Sequence, residues 1–404
     1  LALSSDRVRY DDFKVVIVSL KNKDEEKLFK QNFPESKGVN YFKEPSCKAP
    51  GTVLVSAAML RRLNQSGLQF EVVNENFQWT LDEEHFDLKA KPYSLEPDIF
   101  NTFLRHDEMN RYLESLSKKY SSLASTEVIG YSNEGREMKI IIIGNGHRTK
   151  SKKIIWLDAG IHAREWAAPS AAIIISHKLL AGYGKDEKTT TIVDKYDFYI
   201  LPCANPDGYE FTFEVNRLWR KTRRNCKTED ANECCGVDPN RNWGFHWNET
   251  GTSGDPCSDT YSGPFAFSEN ETRVMANYIY RIKNRLAAYH SYHAFSQLIM
   301  PPYGYTYQLP PNIFELMVKA NKMANAIKYT SGNTFRTGPP PYVIYPAAGG
   351  SHDWVYGVCK VKYSYAYELR PQSGDARGFI LPIDQIKYNG EEMWASFKTF
   401  CLII

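Results

Sequence analysis

The stretch Ile154-Ile155-Trp156-Leu157-Asp158-Ala159-Gly160-Ile161-His162-Ala163-Arg164-Glu165-Trp166 decides the fold. It opens with a short apolar run, as a strand buried on both faces requires. Gly160 then breaks the run, and the next turn carries an imidazole and a carboxylate three residues apart. Polar chemistry just past a strand end is typical of open α/β sheets, whose ligands collect at the carboxyl edge. Outward from this point, helical stretches at His106–Tyr120, Pro169–Tyr183, Ser268–Ile282 and Asn312–Tyr329 alternate with apolar strands. The strands are Met138–Ile143, Phe198–Leu201, Leu286–Tyr292 and Tyr363–Tyr367. This alternation predicts an α/β domain on one mixed sheet, spanning 98–404.

The residues in front show another pattern. Strand Lys14–Leu20, helix Lys23–Asn32, strands Val39–Phe42 and Thr52–Val55, helix Ser56–Ser66 and strand Leu68–Val73 give the order βαββαβ. That is a ferredoxin-like α+β unit, assigned to 1–80. Ser56 is placed to cap its helix, and Leu60 and Leu63 share a face. From 81 to 97 the acidic Leu81-Asp82-Glu83-Glu84 leads into Lys89-Ala90-Lys91-Pro92, which reads as an exposed helix and connector. A trypsin-like protease is expected to open it after Lys89, since the imide at Pro92 shields Lys91. Arg105 is the second candidate site.

With Lys+Arg 50 against Asp+Glu 47 the formal charge is +3, and no basic block suggests a nucleic-acid or anionic-membrane partner. The most apolar stretches, Ile140–Ile143 and Ala167–Ile175, fall well short of the roughly 18–20 residues that span a bilayer. Leu1 to Ser5 reads as the remnant beside a removed secretory signal, and sequons at Asn64, Asn248 and Asn270 agree with secretion. Eight cysteines without a C-x-x-C pair point to disulfides in an oxidising compartment.

Hydrolytic zinc takes three nitrogen or oxygen ligands and keeps one position for water, so the His162/Glu165 pair needs a third partner. His293 comes directly after the strand Leu286–Tyr292, with His290 three residues earlier, and residue type alone leaves both open. Further along stand Arg217-Leu218-Trp219-Arg220, Asp238-Pro239-Asn240-Arg241-Asn242-Trp243, Tyr345 before Gly349-Gly350, and Tyr367-Glu368-Leu369-Arg370. In these motifs, with H-A-R-E-W, the chain resembles the digestive zinc metallocarboxypeptidases of the A/B type in zymogen form. The resemblance covers nearly the whole chain.

The resemblance implies a carboxypeptidase-like catalytic domain with one Zn2+ held by His162, Glu165 and His293. His293 is preferred over His290 because it precedes Phe295-Ser296-Gln297. The His₂Glu set is the one by which carboxypeptidase A holds zinc. Asp238 then matches the carboxylate orienting His162, and Glu368 the general base that moves a proton from water to the leaving amine. Arg220 matches the cation facing the developing oxyanion, with Arg217 in support. Arg241 matches the guanidinium that grips a free α-carboxylate, partnered by Asn240 and by Tyr345, whose loop Gly349-Gly350 would let close. Arg164 matches a contact further from the terminus. The 1–80 unit resembles an inhibitory prosegment, with a folding aid in cis as its other reading, and 81–97 an activation linker.

Cys234 and Cys257 fall at the family's recurrent disulfide. Cys47, Cys203, Cys226, Cys235, Cys359 and Cys401 stay unassigned, with Cys226–Cys235 among the open pairings. His352 falls at the base of the side-chain pocket, where relatives that take Lys or Arg carry Asp; the adjacent Asp353 matches a position outside that floor. A neutral His352 beside Met300 and Ala366 would accept aromatic or aliphatic residues, whereas an imidazolium would favour acidic or other polar ones. The rival class is an inactive peptide-binding pseudoenzyme, although each matched position retains a competent residue. Expected partners are peptides and proteins with a free C-terminus, a trypsin-like activating protease and proteinaceous carboxypeptidase inhibitors. The expected setting is extracellular, in a digestive lumen.

Overall fold

The computed structural model describes residues 7–35, 38–89, 97–144, 152–226 and 234–404. The N-terminal unit runs β1 (Lys14–Ser19), α1 (Lys23–Asn32), β2 (Val39–Lys43), β3 (Gly51–Val55), α2 (Ala57–Gln65) and β4 (Gln69–Asn74). Its strands form an antiparallel sheet in the order β2-β3-β1-β4, the ferredoxin-like arrangement that the sequence pattern predicts. Ser56 caps α2 by accepting from the Met59 N–H at 3.3 Å. Val16, Val18, Phe29, Val53 and Leu63 form this unit's own core.

α3 (Phe77–Lys89) crosses from this unit into the expected linker. The sequence reads that helix as exposed, and the structure corrects this: Phe77, Leu81 and Glu84 are buried, while Asp82 and Glu83 face outward. Phe77 and Leu81, four residues apart, share one helical face and join the main core, the Phe77 ring lying 5.4 Å from that of Phe42. An acidic average composition had hidden that narrow stripe. Lys89, the last helical residue, is exposed, and the Lys91-Pro92 bond lies outside the described residues.

The larger unit continues α4 (His106–Lys119), β5 (Ala124–Tyr131), β6 (Glu137–Ile143), β7 (Lys153–Ala159), α5 (Ala167–Gly182), α6 (Glu187–Lys195), β8 (Tyr196–Leu201) and α7 (Pro206–Glu214). It is completed by α8 (Asn270–Ile282), β9 (Leu286–Ser296), β10 (Leu298–Met300), α9 (Ile313–Ser331), β11 (Arg336–Thr337), α10 (Pro340–Val343), α11 (Ser351–Gly357), β12 (Tyr363–Gln372) and α12 (Ile386–Ile403). Eight strands form one mixed sheet in the order β11-β10-β12-β9-β7-β8-β6-β5. The central β8, β7, β9 and β12 are parallel, and antiparallel pairings flank them. Along β7, Ile155 and Leu157 enter the core that includes α5 and α12, while Ile154 and Trp156 enter the one containing α8 and α11 residues. Burial on both faces explains why this strand reads as a continuous apolar run. The edge strand β5 escaped the sequence pattern because only Ala124 in it is buried. No helix among the described residues is long and apolar enough to cross a membrane.

Candidate metal centre and substrate site

β7 ends at Ala159, and Gly160 (φ +66°) turns the chain so that His162 and Glu165 lie beyond the strand and before α5. β9 and β12 pair in parallel with Glu368 opposite His293, so both reach the same edge. His293 lies inside β9, which extends to Ser296, and not after a strand ending at Tyr292. That resolves the choice of histidine by parity, because residues three apart on a strand point to opposite faces. His290 points into the core, 3.0 Å from the Tyr367 hydroxyl, and burial pushes it down to about 3.

His162, Glu165 and His293 converge, all buried, with their ligating atoms within 4.8 Å of one another. His162 Nδ1 lies 2.8 Å from Glu165 Oε1 and 3.1 Å from His293 Nδ1, which is 3.3 Å from Glu165 Oε2. Two imidazole nitrogens and a carboxylate meeting this closely could hold a cation, and the N₂O donor set suits zinc. The opposite nitrogen, His162 Nε2, lies 3.1 Å from Asp238 Oδ1. Asp238 Oδ2 accepts from Arg220 Nη2 at 2.8 Å and Nε at 3.1 Å. Burial works to raise the Asp238 carboxyl, but Arg220, His162 and Arg241 hold it well below the usual range.

Arg220, Asn240, Arg241, Tyr345, His352 and Glu368 line one pocket with His162 and His293, joined by Met300 and Ala366. Burial, then the Glu165 carboxylate, pushes Glu368 well above the usual carboxylate range, against the pull of Arg220 and Arg241. Arg241 is held by donation from Nε to Gly251 O at 2.8 Å and from Nη1 to Asn240 O at 3.0 Å. Gly349 (φ +69°) is required for close packing here, since a Cβ would lie 2.4 Å from Arg241 O. His352 is buried with neither ring nitrogen hydrogen-bonded, and burial pushes it down to about 3. Asp353 Oδ1 lies 3.2 Å from His352 Nε2, while its Oδ2 accepts from the backbone N–H groups of Gly304 (2.8 Å) and Tyr305 (3.2 Å).

The zinc carboxypeptidase family profile matches residues 109–396. The chain belongs to the zinc carboxypeptidase family. It is 36% identical over 401 residues to zinc carboxypeptidase A 1 of Drosophila melanogaster, covering 97% of this chain and 92% of that protein. The crystal structure of carboxypeptidase A from Helicoverpa armigera superposes with a TM-score of 0.86 at 31% identity, covering 97% of each chain. Bovine thrombin-activatable fibrinolysis inhibitor, solved with tick carboxypeptidase inhibitor, aligns over 75% of this chain and 97% of its own at 30% identity and a TM-score of 0.68.

In this zinc carboxypeptidase, two of the expected substrate residues stand apart from the His162, Glu165 and His293 cluster, against the N-terminal unit. Arg217 donates from Nε and Nη2 to Glu84 and stacks on Trp166, its guanidinium 3.6 Å from the ring centre. Arg164 donates to Asn40 Oδ1 at 3.2 Å and Asp259 Oδ2 at 2.9 Å. Glu35 accepts from the Asp259 N–H at 3.2 Å. Between the units lies a cavity of about 550 Å³ bordered by Glu35, Tyr41 and Glu44 on one side and Arg164, Arg220, Arg241 and Tyr345 on the other. Cys234–Cys257 and Cys226–Cys235 are both disulfides, and Cys257 borders that cavity. Glu35 and Asp259 went unnoticed in the sequence, and Glu84 was read only as part of an exposed acidic stretch.

Proposed function

We propose that this chain is the zymogen of a secreted zinc exopeptidase that hydrolyses the C-terminal peptide bond and releases aromatic or aliphatic residues. The observation that carries the reading is the single pocket in which His162, His293, Glu368, Arg220 and Arg241 meet. One zinc per chain, held by His162, Glu165 and His293, would polarise the scissile carbonyl and activate a water for attack. Arg241, with Asn240 and Tyr345, grips the free α-carboxylate and sets the scissile bond at the metal. Glu368 takes the proton of the attacking water and delivers it to the departing amine. Arg220 donates to the oxygen on which negative charge develops, and Asp238 keeps both Arg220 and His162 in place.

The side-chain preference rests on His352. Held neutral by burial, it sits with Met300, Ala366, Pro340 and Ile344 around a largely apolar pocket. An acid-accepting pocket would need the imidazolium, which this burial opposes.

The zymogen reading rests on the contacts of the 1–80 unit and α3 with Arg164 and Arg217, cations free to meet substrate only once that segment leaves. A trypsin-like protease cutting after the exposed Lys89 in the 81–97 linker would release it. Proteinaceous carboxypeptidase inhibitors are further partners, and a digestive lumen is the setting that a secreted, protease-activated exopeptidase suits.

The deciding experiment is a C-terminal release assay on trypsin-treated protein, using peptides ending in Phe, Leu, Lys, Arg, Glu and Asp, with and without a zinc chelator. Chelator-sensitive release favouring Phe and Leu is expected. Preference for Glu and Asp would overturn the apolar pocket, and no release from zinc-loaded protein would leave a peptide-binding pseudoenzyme.

A further inference from the structure

The two histidines of the centre turn Nδ1 toward the metal position, so each must carry its remaining proton on Nε2 and find an acceptor for it. For His162 that acceptor is Asp238. For His293 the neighbours of Nε2 are Asn240 Nδ2 and Ser291 Oγ, each at 3.4 Å. The Asn240 amide is oriented by the Ser351 N–H, which donates to its Oδ1 at 3.0 Å. Its NH₂ group therefore faces His293, and it is a donor only. Among the described residues this leaves Ser291 Oγ as the acceptor. The Ser291 proton is committed elsewhere, donated to Asp158 Oδ1 at 2.7 Å, which frees the oxygen lone pairs for His293.

Asp158 is itself anchored. Its Oδ2 accepts from Trp156 Nε1 at 2.8 Å, and register sets it beside Ser291 across the parallel β7–β9 pair. Both side chains are fully buried. Ser291 and His293, two apart on β9, share a face.

We propose that Asp158 and Ser291 are positioning residues for the metal centre: Asp158 orients the Ser291 hydroxyl, and Ser291 fixes the ring and tautomer of His293. The chain is Trp156 Nε1–H to Asp158, Ser291 O–H to Asp158, and His293 Nε2–H to Ser291. It does for His293 indirectly what Asp238 does for His162 directly. A neutral hydroxyl backed by a buried carboxylate holds the ring without placing a second full charge beside the metal.

The inference rests on the zinc reading above, and the test separates the two. The full chain and its Ser291→Ala, Asp158→Asn and Ser176→Ala variants are titrated with zinc against a chromogenic chelator, and the cobalt-substituted forms are examined by visible absorption. Ser176 is a fully buried serine whose hydroxyl, among the described residues, bonds only to Ala172 O of its own helix, and it serves as the control. Ser291→Ala should bind zinc about 10- to 100-fold more weakly, with shifted cobalt bands. Asp158→Asn should do the same, and Ser176→Ala should match wild type. If Asp158→Asn does not fold, Ser291→Ala decides alone, since it removes one atom. Native zinc affinity and cobalt spectrum in Ser291→Ala would overturn the relay, as would equal weakening in Ser176→Ala. A wild-type chain that takes up no zinc would instead remove the metal centre itself.

Discussion

Glu84 of α3 holds Arg217 by paired hydrogen bonds of 2.7 and 3.0 Å, and both side chains are buried. A planar carboxylate matched to a guanidinium is strongest when desolvated, but removing one partner strands the other. Glu84→Gln should therefore weaken docking of the N-terminal segment by about 3–5 kcal/mol. The uncleaved variant should hydrolyse peptide several-fold faster than the uncleaved wild type. After cleavage at Lys89 the two proteins are identical, so matured activity must coincide. Equal latent activity before cleavage would show that this pair does not hold the segment down.

Lys89 is exposed at the end of α3, whereas Arg105 is tied to Glu210 and Glu214 in front of α4. Proteases cut where the side chain is accessible and not tied down, so Lys89→Gln should slow tryptic activation strongly and Arg105→Gln should not. Mass analysis of the released fragment checks this, and a fragment ending at Arg105 would reverse the assignment.

Glu368→Gln should keep zinc and substrate affinity while kcat falls about 10²- to 10⁴-fold, the usual worth of a placed acid–base group. Steady-state kinetics with metal analysis checks both halves. Retained turnover would take the proton-transfer role from Glu368.

Arg241→Ala should raise KM for peptides with a free C-terminus by about 10²-fold, equivalent to the roughly 2–3 kcal/mol of a charge-assisted hydrogen bond. Peptides with an amidated terminus should be poor substrates of both proteins. Indifference of the wild type to amidation would remove Arg241 as the carboxylate clamp and the exopeptidase reading with it.

Burial, then the neighbouring Asp259 carboxylate, pushes the Glu35 carboxyl up to about 8, with the Asp259 N–H, Arg164 and Arg220 pulling the other way. In the detached segment the same group ionises near its ordinary 4.5. Docking thus keeps a proton that the free segment loses. Docking is fully favoured below that window, weakens as pH rises through it, and levels off above about pH 8. Latent activity of the uncleaved chain, relative to the matured enzyme, should rise between about pH 5 and 8, and Glu35→Gln should flatten that rise. A slope surviving in Glu35→Gln would assign it to another group.

The sequence alone determined the two-unit organisation, the βαββαβ order, the mixed α/β sheet and the closely spaced His162/Glu165 pair, and it left both His290 and His293 open as the third partner. These rest on local signals: hydrophobic period, turn residues, and reactive side chains at short spacing. The structure decided what depends on residues far apart in the chain. Parity along β9 selected His293 over His290, and the β7–β9 register brought Asp158 beside Ser291. Docking of α3 buried Glu84 against Arg217, 133 residues away. A buried acidic residue looks like any exposed one until packing supplies its partner, and only tertiary contact removes the water that makes the pairing matter.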